Sequence, residues 1–318
     1  MSKPDLNVNI GKMKLKNPVM PASGCFGYGE EYASYFDLSR LGAIVVKGTT
    51  REPWPGNLPP RLAETSAGLL NAIGLQNPGA VEALAKIRTL AHYGVPVILN
   101  VAGHSADDYC EVIKFFAEEK AVEAFELNVS CPNLTAGGMA FGTDPEIVYR
   151  LTSRAKQLTD KTLIVKLSPN VTDIAAVALA AERGGADAVS LINTLLGMAI
   201  DISKKEPVLA NVTGGLSGPA VKPVALRMVW QVSAAVDIPV IGMGGICCAA
   251  DALEFILAGA SAVAIGTALF TNPLTCLQAI DGITAYLEEN VVATVKEIVG
   301  LARKNQAQKR EENQCGKS

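Results

Sequence analysis

The segment Ala124-Phe125-Glu126-Leu127-Asn128-Val129-Ser130-Cys131-Pro132-Asn133 begins as an apolar run and ends in a thiol that two carboxamides flank. Proline lacks the amide hydrogen that a central strand donates, so Pro132 marks the end of a strand. A loop that contains glycine, residues 135–143, follows. The segment therefore predicts a buried strand whose last residues carry polar groups into a loop.

Seven other short apolar runs, rich in β-branched residues, recur along the chain between longer amphipathic stretches. Near-continuous apolar strands are typical of parallel sheets that are buried on both faces. Eight such strands that alternate with helices predict an α/β fold, a (β/α)8 TIM barrel with long βα loops over its C-terminal face. With residues 125–129, the runs are residues 18–20, 43–47, 95–101, 163–167, 188–192, 238–243 and 262–265.

Capping signals predict where the helices between these runs begin and end. Ser105 is expected to open one helix, and Thr143-Asp144-Pro145-Glu146 reads as a capping box for another. A helix from Thr172-Asp173 should end at Gly184-Gly185, and a helix over residues 249–257 should end at Gly259. A doubly wound open sheet is the competing architecture, but it would need a GxGxxG fingerprint after an early strand, which the sequence lacks.

Length and composition favour one large domain. The chain has 318 residues, of which 49% are hydrophobic and 19% charged, and barrels of this size are commonly one domain. We expect a single domain over residues 1–318, with a frayed polar tail over about residues 304–318. Two connections, residues 48–78 and 194–218, are longer than a barrel needs, and long loops in compact domains are usually functional.

Charge and cysteine content exclude several function classes. A net charge of −3 offers no basic surface for nucleic acid. The sequence has no apolar run of the roughly 18 residues that span a membrane, and its N-terminus lacks a signal-peptide core. The seven cysteines form no CxxC pair, which argues against disulfides and against a zinc or iron–sulfur site in this chain. We expect a cytoplasmic protein without a metal site.

Polar residues and glycines lie at the carboxyl ends of the predicted strands. Because barrel active sites lie at the carboxyl ends of the strands, these residues predict one catalytic face. The glycines of the last two strands, together with residues 214–218, could bring backbone N–H groups close to a phosphate. The residues are Ser23, Lys47, Asn100, Asn128, Lys166, Asn193, Gly244-Gly245 and Gly266-Thr267.

Two lysines and several asparagines narrow the ligand chemistry. Lys47 and Lys166 both end apolar runs, and a lysine in a barrel mouth needs an anion to offset its desolvation. A substrate carboxylate and a reduced, anionic flavin ring are two candidates, while snorkelling to water is the alternative. The carboxamides of Asn71, Asn128, Asn133 and Asn193 suit a planar ring edged with C=O and N–H groups, such as a pyrimidine.

Cys131 could be a nucleophile, a general base, a metal ligand or a buried structural thiol. A covalent nucleophile would want a neighbouring histidine, and neither His92 nor His104 lies in a strand-end motif. Buried free cysteines are common, but the adjacent loop and amides imply that this thiol is accessible. A general base is therefore the best interpretation. The other six cysteines are expected to be packing or surface residues.

With these residues in hand, the chain resembles the class 1B dihydroorotate dehydrogenases, over about residues 15–296. It is similar to the FMN-carrying catalytic subunit of that NAD-linked, heteromeric enzyme. The related class 1A, a fumarate-using homodimer, shares the cysteine, but residues 71–79, 214–218 and 241–245 look more like class 1B. The motifs that carry the resemblance are residues 21–27, 46–47, 71–79, 128–133, 165–170, 192–194 and 241–245.

The resemblance implies a role for each matching position. Cys131 stands where the family has its catalytic base. The implied substrate-binding residues are Lys47, Asn71, Ala72, Ile73, Gly74, Leu75, Asn128, Asn193 and Thr194. The implied FMN-binding residues are Ser23, Lys47, Gly48, Asn100, Asn128, Lys166, Ile192, Gly218, Gly244, Gly245, Gly266 and Thr267.

The implied reaction is oxidation of (S)-dihydroorotate to orotate in pyrimidine biosynthesis. The resemblance also implies a separate subunit with FAD and a [2Fe–2S] cluster, and a barrel that pairs with itself in a heterotetramer. Three alternatives remain: a class 1A-like enzyme, an FMN barrel that acts on another dihydropyrimidine, and a catalytically inert flavin-binding or scaffold subunit. The last would have no need of Cys131.

Overall fold

The computed structural model describes residues 3–130 and 141–315, with sixteen strands in those ranges. All eight predicted strands are present, which confirms the reading of the apolar runs. In chain order the strands are β1 Val8–Ile10, β2 Met13–Leu15, β3 Val19–Pro21, β4 Ile44–Thr49, β5 Leu62–Thr65, β6 Gly68–Asn71, β7 Val97–Val101, β8 Ala124–Asn128, β9 Thr162–Lys166, β10 Ala188–Leu191, β11 Leu195–Met198, β12 Ile200–Asp201, β13 Glu206–Pro207, β14 Thr213–Ser217, β15 Val240–Met243 and β16 Ala262–Ile265.

Eight of these strands form one parallel sheet that curls into a nearly closed barrel. Their order is β3-β16-β15-β10-β9-β8-β7-β4, and β3 and β4 come together where Gly42 N donates to Val19 O at 2.9 Å. A Cβ at residue 42 would lie 2.1 Å from Asn17 O, so this close approach requires glycine. The predicted (β/α)8 TIM barrel is therefore confirmed.

Helices cover the outside of the barrel and bury its apolar strands. They are α1 Gly79–Leu90, α2 Ala106–Phe116, α3 Pro145–Lys156, α4 Ile174–Arg183, α5 Lys222–Ala235, α6 Ala249–Ala258, α7 Thr275–Glu289, α8 Val295–Ile298 and α9 Leu301–Cys315. The hairpin of β1 and β2 lies at the amino-terminal ends of the barrel strands. Lys12 N, in the turn of this hairpin, donates to Thr162 Oγ1 at the start of β9 at 2.9 Å.

Three of the predicted helix starts agree with the structure and one does not. Ser105 and Asp108 form a capping box at α2, Asp173 caps α4, and α6 begins at Ala249. The predicted box at Thr143 is wrong, because Thr143 belongs to a 3-10 turn and Asp144 takes the capping position, accepting from Glu146 N at 2.8 Å.

The two long connections are not irregular loops. They contribute four strands to a second, antiparallel sheet with the order β11-β14-β6-β5. β14 pairs with β6 through Gly215 and Asn71, so residues that are far apart in sequence meet above the barrel. The alternation of apolar and polar residues that predicts a strand is weak in these stretches, because glycine and proline interrupt it. The sequence analysis therefore predicts no strand here.

The described chain ends in a helix, since residues 304–315 continue α9. The segment is polar, but lysine, glutamine, alanine, arginine and glutamate are all good helix formers, and neither glycine nor proline occurs before Gly316. Within the described ranges, no helix has both the length and the apolarity to cross a membrane.

Candidate active site

A cavity of about 810 Å³ opens at the carboxyl ends of the barrel strands, beneath the antiparallel sheet. This volume is typical of small-molecule and cofactor sites. Every predicted site residue in the described ranges lines it, while Cys131 and Asn133 lie outside those ranges. The lining residues among those predicted are Ser23, Lys47, Gly48, Asn71, Ala72, Ile73, Gly74, Leu75, Asn100, Asn128, Lys166, Ile192, Asn193, Thr194, Gly218, Gly244, Gly245, Gly266 and Thr267.

Cys131, the predicted base, lies outside the described residues. Strand β8 ends at Asn128, and the chain is described as far as Ser130, which itself lines the cavity. Asn128 is held on both sides, since its backbone carbonyl accepts from Tyr109 Oη at 2.6 Å and its Oδ1 accepts from Asn193 Nδ2 at 3.1 Å. Asn128 and Ser130, the last described part of this segment, therefore lie in the cavity wall.

The carboxamides of Asn71, Asn128 and Asn193 are each held by a hydrogen bond at the cavity. Asn193 Oδ1 accepts from Thr194 N at 2.8 Å, which fixes the amide that donates to Asn128. Asn71 Nδ2 donates to Gly215 O at 3.2 Å and so joins β6 to β14. Amides held in this way present donors and acceptors of fixed direction, which suits a planar ring with alternating C=O and N–H groups.

Two lysines bring positive charge to the cavity without an acidic partner. Lys166 is 5% exposed, and its Nζ donates to Ser23 Oγ at 3.0 Å. No carboxylate within the described ranges forms an ion pair with Lys47 or Lys166. Burial lowers the pKa of Lys47, and the positive charge of Arg61 lowers it further. Both lysines therefore favour an anionic ligand.

Cys25 is a cavity residue that the sequence reading missed. Burial raises the pKa of its thiol to about 11, against the opposing charges of Lys166 and Lys47. The thiol therefore stays protonated at neutral pH. Its place in the motif of residues 21–27, two residues after Ser23, was the available signal. Cys247 also lines the cavity. Cys247 is exposed and Cys25 packs against the hydrophobic core, so both agree with the expectation of packing or surface positions.

Glycine turns after the last strands bring three loops together. Gly244 and Gly245 have φ values of +126° and +76°, a region that favours glycine. A Cβ at residue 245 would lie 2.8 Å from Gly218 O, so only glycine allows this packing. Thr267 Oγ1 donates to Ser217 Oγ at 2.7 Å and ties the loop after β16 to the end of β14. The turns therefore place backbone at the cavity wall, where a phosphate could approach it closely.

Several polar residues of the cavity lie in the antiparallel sheet or in the loops next to it, and the sequence analysis predicts no strand there. Asn170 joins the loop after β9 to this sheet, because its Nδ2 donates to Thr194 O at 3.1 Å and its Oδ1 accepts from Leu196 N at 2.9 Å. It stands in the motif of residues 165–170, which was its only signal. The others are Asn57, Gln76, Asn211, Thr213 and Ser217, and His104 joins them from the loop after β7.

Comparison with known proteins gives one consistent result. The family model described as Dihydroorotate dehydrogenase matches residues 5–287. The protein named Dihydroorotate dehydrogenase B (NAD(+)), catalytic subunit, of Alkaliphilus metalliredigens is 57% identical over 301 residues, which are 94% of this chain and 99% of that protein. Proteins of the same name from Geotalea uraniireducens and Listeria innocua are 54% and 53% identical, over 94% and 92% of this chain and 99% and 97% of their own lengths. The matched range contains every strand that lines the cavity.

Proposed function

This chain belongs to the dihydroorotate dehydrogenase family, and we propose that it is the catalytic subunit of an NAD-linked enzyme that oxidises dihydroorotate to orotate in pyrimidine biosynthesis. The observation that carries the proposal is the pair of lysines that have no acidic partner among the described residues, in one cavity with a set of fixed carboxamides. A planar pyrimidine that bears a carboxylate satisfies both features. The expected setting is the cytoplasm.

The cavity also fits FMN, on three features of the chain itself. The glycine turns at residues 244–245 and 266–267 suit its phosphate. Asn100 Oδ1 is buried and has no hydrogen-bond partner in the described ranges, as expected for an acceptor that awaits a ligand donor. Lys166 offers the positive charge that a reduced ring needs near N1. Bound there, FMN would supply the acceptor for the hydride that leaves C6 of the substrate.

The chain's own residues then bind the substrate and move its proton. We assign the substrate carboxylate to Lys47, and the ring edges to Asn71, Asn128 and Asn193. Cys131 is the proposed base that removes the proton from C5, as the family resemblance implies. A thiol of ordinary pKa, about 8.5, serves as a base near neutral pH once it is positioned and shielded from water.

The proposed activity has a direct test. The purified chain should be yellow, and addition of dihydroorotate without air should bleach the visible flavin band, since no acceptor is present to reoxidise it. Dihydrouracil, which lacks the carboxylate, is the matched control and should bleach the band far more slowly. A colourless protein, or a yellow one that dihydroorotate leaves unchanged, would contradict the proposal.

Transfer of electrons to NAD should need a second protein. The relatives are named catalytic subunits, and we propose a partner that carries FAD and a [2Fe–2S] cluster, in a heterotetramer built on a dimer of barrels. Within the described ranges, no group of three or more His, Cys, Asp or Glu residues could hold a metal ion. The partner would supply the cluster instead.

We therefore expect the isolated chain to reduce artificial dyes but not NAD at a useful rate. Co-expression with the partner should restore NAD reduction and yield a complex that copurifies. The measurement is NADH absorbance with dihydroorotate as the donor. Rapid NAD reduction by the chain alone would refute the two-subunit arrangement, and efficient turnover with fumarate would place the protein in class 1A.

A further inference from the structure

A buried carboxylate lies in the barrel just below the cavity. Glu126 precedes Asn128 by two residues on β8, so the two side chains share the inner face of the strand. Glu126 is 2% exposed, and no ion pair within residues 3–130 and 141–315 includes it. Burial of a carboxylate without a cation costs stability, so the fold alone gives no reason for this residue.

The hydrogen bonds of Glu126 point to its use. Its Oε2 accepts from Asn100 Nδ2 at 2.6 Å, and its Oε1 accepts from Ser190 Oγ at 2.7 Å. All three side chains are buried. A carboxylate only accepts hydrogen bonds, so it selects the NH₂ group of the Asn100 amide and not the carbonyl. Ser190, bonded to the other oxygen, prevents the carboxylate from turning away.

The same contact determines where the carbonyl oxygen of Asn100 points. With Nδ2 held by Glu126, Oδ1 is the atom left for the cavity that Asn100 lines. Oδ1 is buried and has no hydrogen-bond partner in the described ranges. Gly48 lies beside it, where a Cβ would come within 2.9 Å of Oδ1 and crowd this oxygen. A buried acceptor without a donor is costly, and a ligand N–H removes that cost.

We propose that Glu126 is a positioning residue, which with Ser190 holds the Asn100 amide so that Oδ1 accepts a hydrogen bond from the ring N–H of the flavin. This inference rests on the proposed function, because it takes FMN as the ligand. The oxidised flavin ring carries a single N–H, at N3. Recognition of that group distinguishes the flavin from an analogue methylated there.

The test compares the dissociation constants of FMN and 3-methyl-FMN for the full chain freed of flavin, measured by quenching of flavin fluorescence. The wild type should bind FMN about tenfold more tightly or better, since the methyl group removes the donor. Glu126→Met, which removes the acceptor for Asn100 at similar volume, should reduce that preference to less than about threefold. Glu126→Gln keeps an oxygen for Asn100 and should restore most of it.

The matched control is Thr152→Val, which removes a different buried hydrogen bond, from Thr152 Oγ1 to Val148 O on α3. Its preference for FMN should equal that of the wild type, whatever stability it loses. A full preference in Glu126→Met, or equal binding of the two flavins by the wild type, would overturn the proposal.

If Glu126→Met does not fold, Ser190→Ala provides an independent test of the same proposal. This variant leaves the Asn100 contact in place but frees the carboxylate to turn, so the preference for FMN should fall severalfold, and an unchanged preference would again overturn the proposal. The outcome is separable from the proposed function. Suppose that the chain binds FMN and dihydroorotate bleaches the flavin band, but FMN and 3-methyl-FMN bind equally well. This result would contradict the role of Glu126 and leave the proposed function intact.

Discussion

Replacement of Cys131 by alanine is expected to slow flavin reduction by dihydroorotate about 10²- to 10⁴-fold, the usual contribution of a positioned general base. The content of bound FMN should not change, because the residue is assigned to the substrate and not to the cofactor. Anaerobic stopped-flow measurement of the visible flavin band gives the rate. In the wild type, the rate should rise with pH as the thiol ionises, since the thiolate is the basic form.

A control thiol separates loss of the base from a general effect of removing a cysteine. Cys110 is buried on α2 and does not line the cavity. Cys110→Ala should therefore reduce flavin at the wild-type rate and keep the wild-type pH profile. If Cys131→Ala itself retained a normal rate, the proton would be removed by another group, and the assignment from family resemblance would be wrong.

Replacement of Lys47 by alanine is expected to weaken dihydroorotate binding about 10²- to 5 × 10³-fold. Removal of one partner of a desolvated charge pair costs about 3–5 kcal/mol, because the other charge stays buried without compensation. A ligand without the carboxylate should lose far less. The measurement is the dissociation constant of orotate and of uracil for the oxidised protein, followed through the flavin spectrum. Equal losses for both ligands would assign Lys47 to the flavin or to the fold.

The role of Lys47 can also be tested by the pH dependence of substrate affinity, with a second buried lysine as the control. Burial lowers the pKa of Lys47 from its usual value of 10.5, so the positive charge is lost at a lower pH than for an exposed lysine. Affinity for dihydroorotate should accordingly fall as pH rises into the alkaline range, before an ordinary lysine would titrate. Lys161, whose pKa burial also lowers, donates to Val122 O away from the cavity. Lys161→Ala should leave orotate affinity unchanged.

The residues of the cavity were largely predictable because parallel strands place their carboxyl ends on one face. Each of four polar residues lies within one residue of the carboxyl end of an apolar run, and that position alone brings them together: Lys47, Asn100, Asn128 and Lys166. The position of Cys25 in the cavity could not be predicted in this way, because it depends on how the chain turns after β3. The hydrogen bonds of Asn170 to Thr194 and Leu196 likewise join segments that the sequence does not pair.

The sequence by itself determined the barrel, because eight apolar runs separated by helical patterns leave few ways to bury both faces of every strand. Only the tertiary structure decided how the long connections fold, since β14 and β6 pair across 144 residues, from Asn71 to Gly215. Only the tertiary structure, too, showed that Glu126 meets Asn100 and Ser190 inside the barrel. Local patterns report which face of an element is apolar, whereas contacts between distant polar side chains depend on register and closure, which local patterns do not contain.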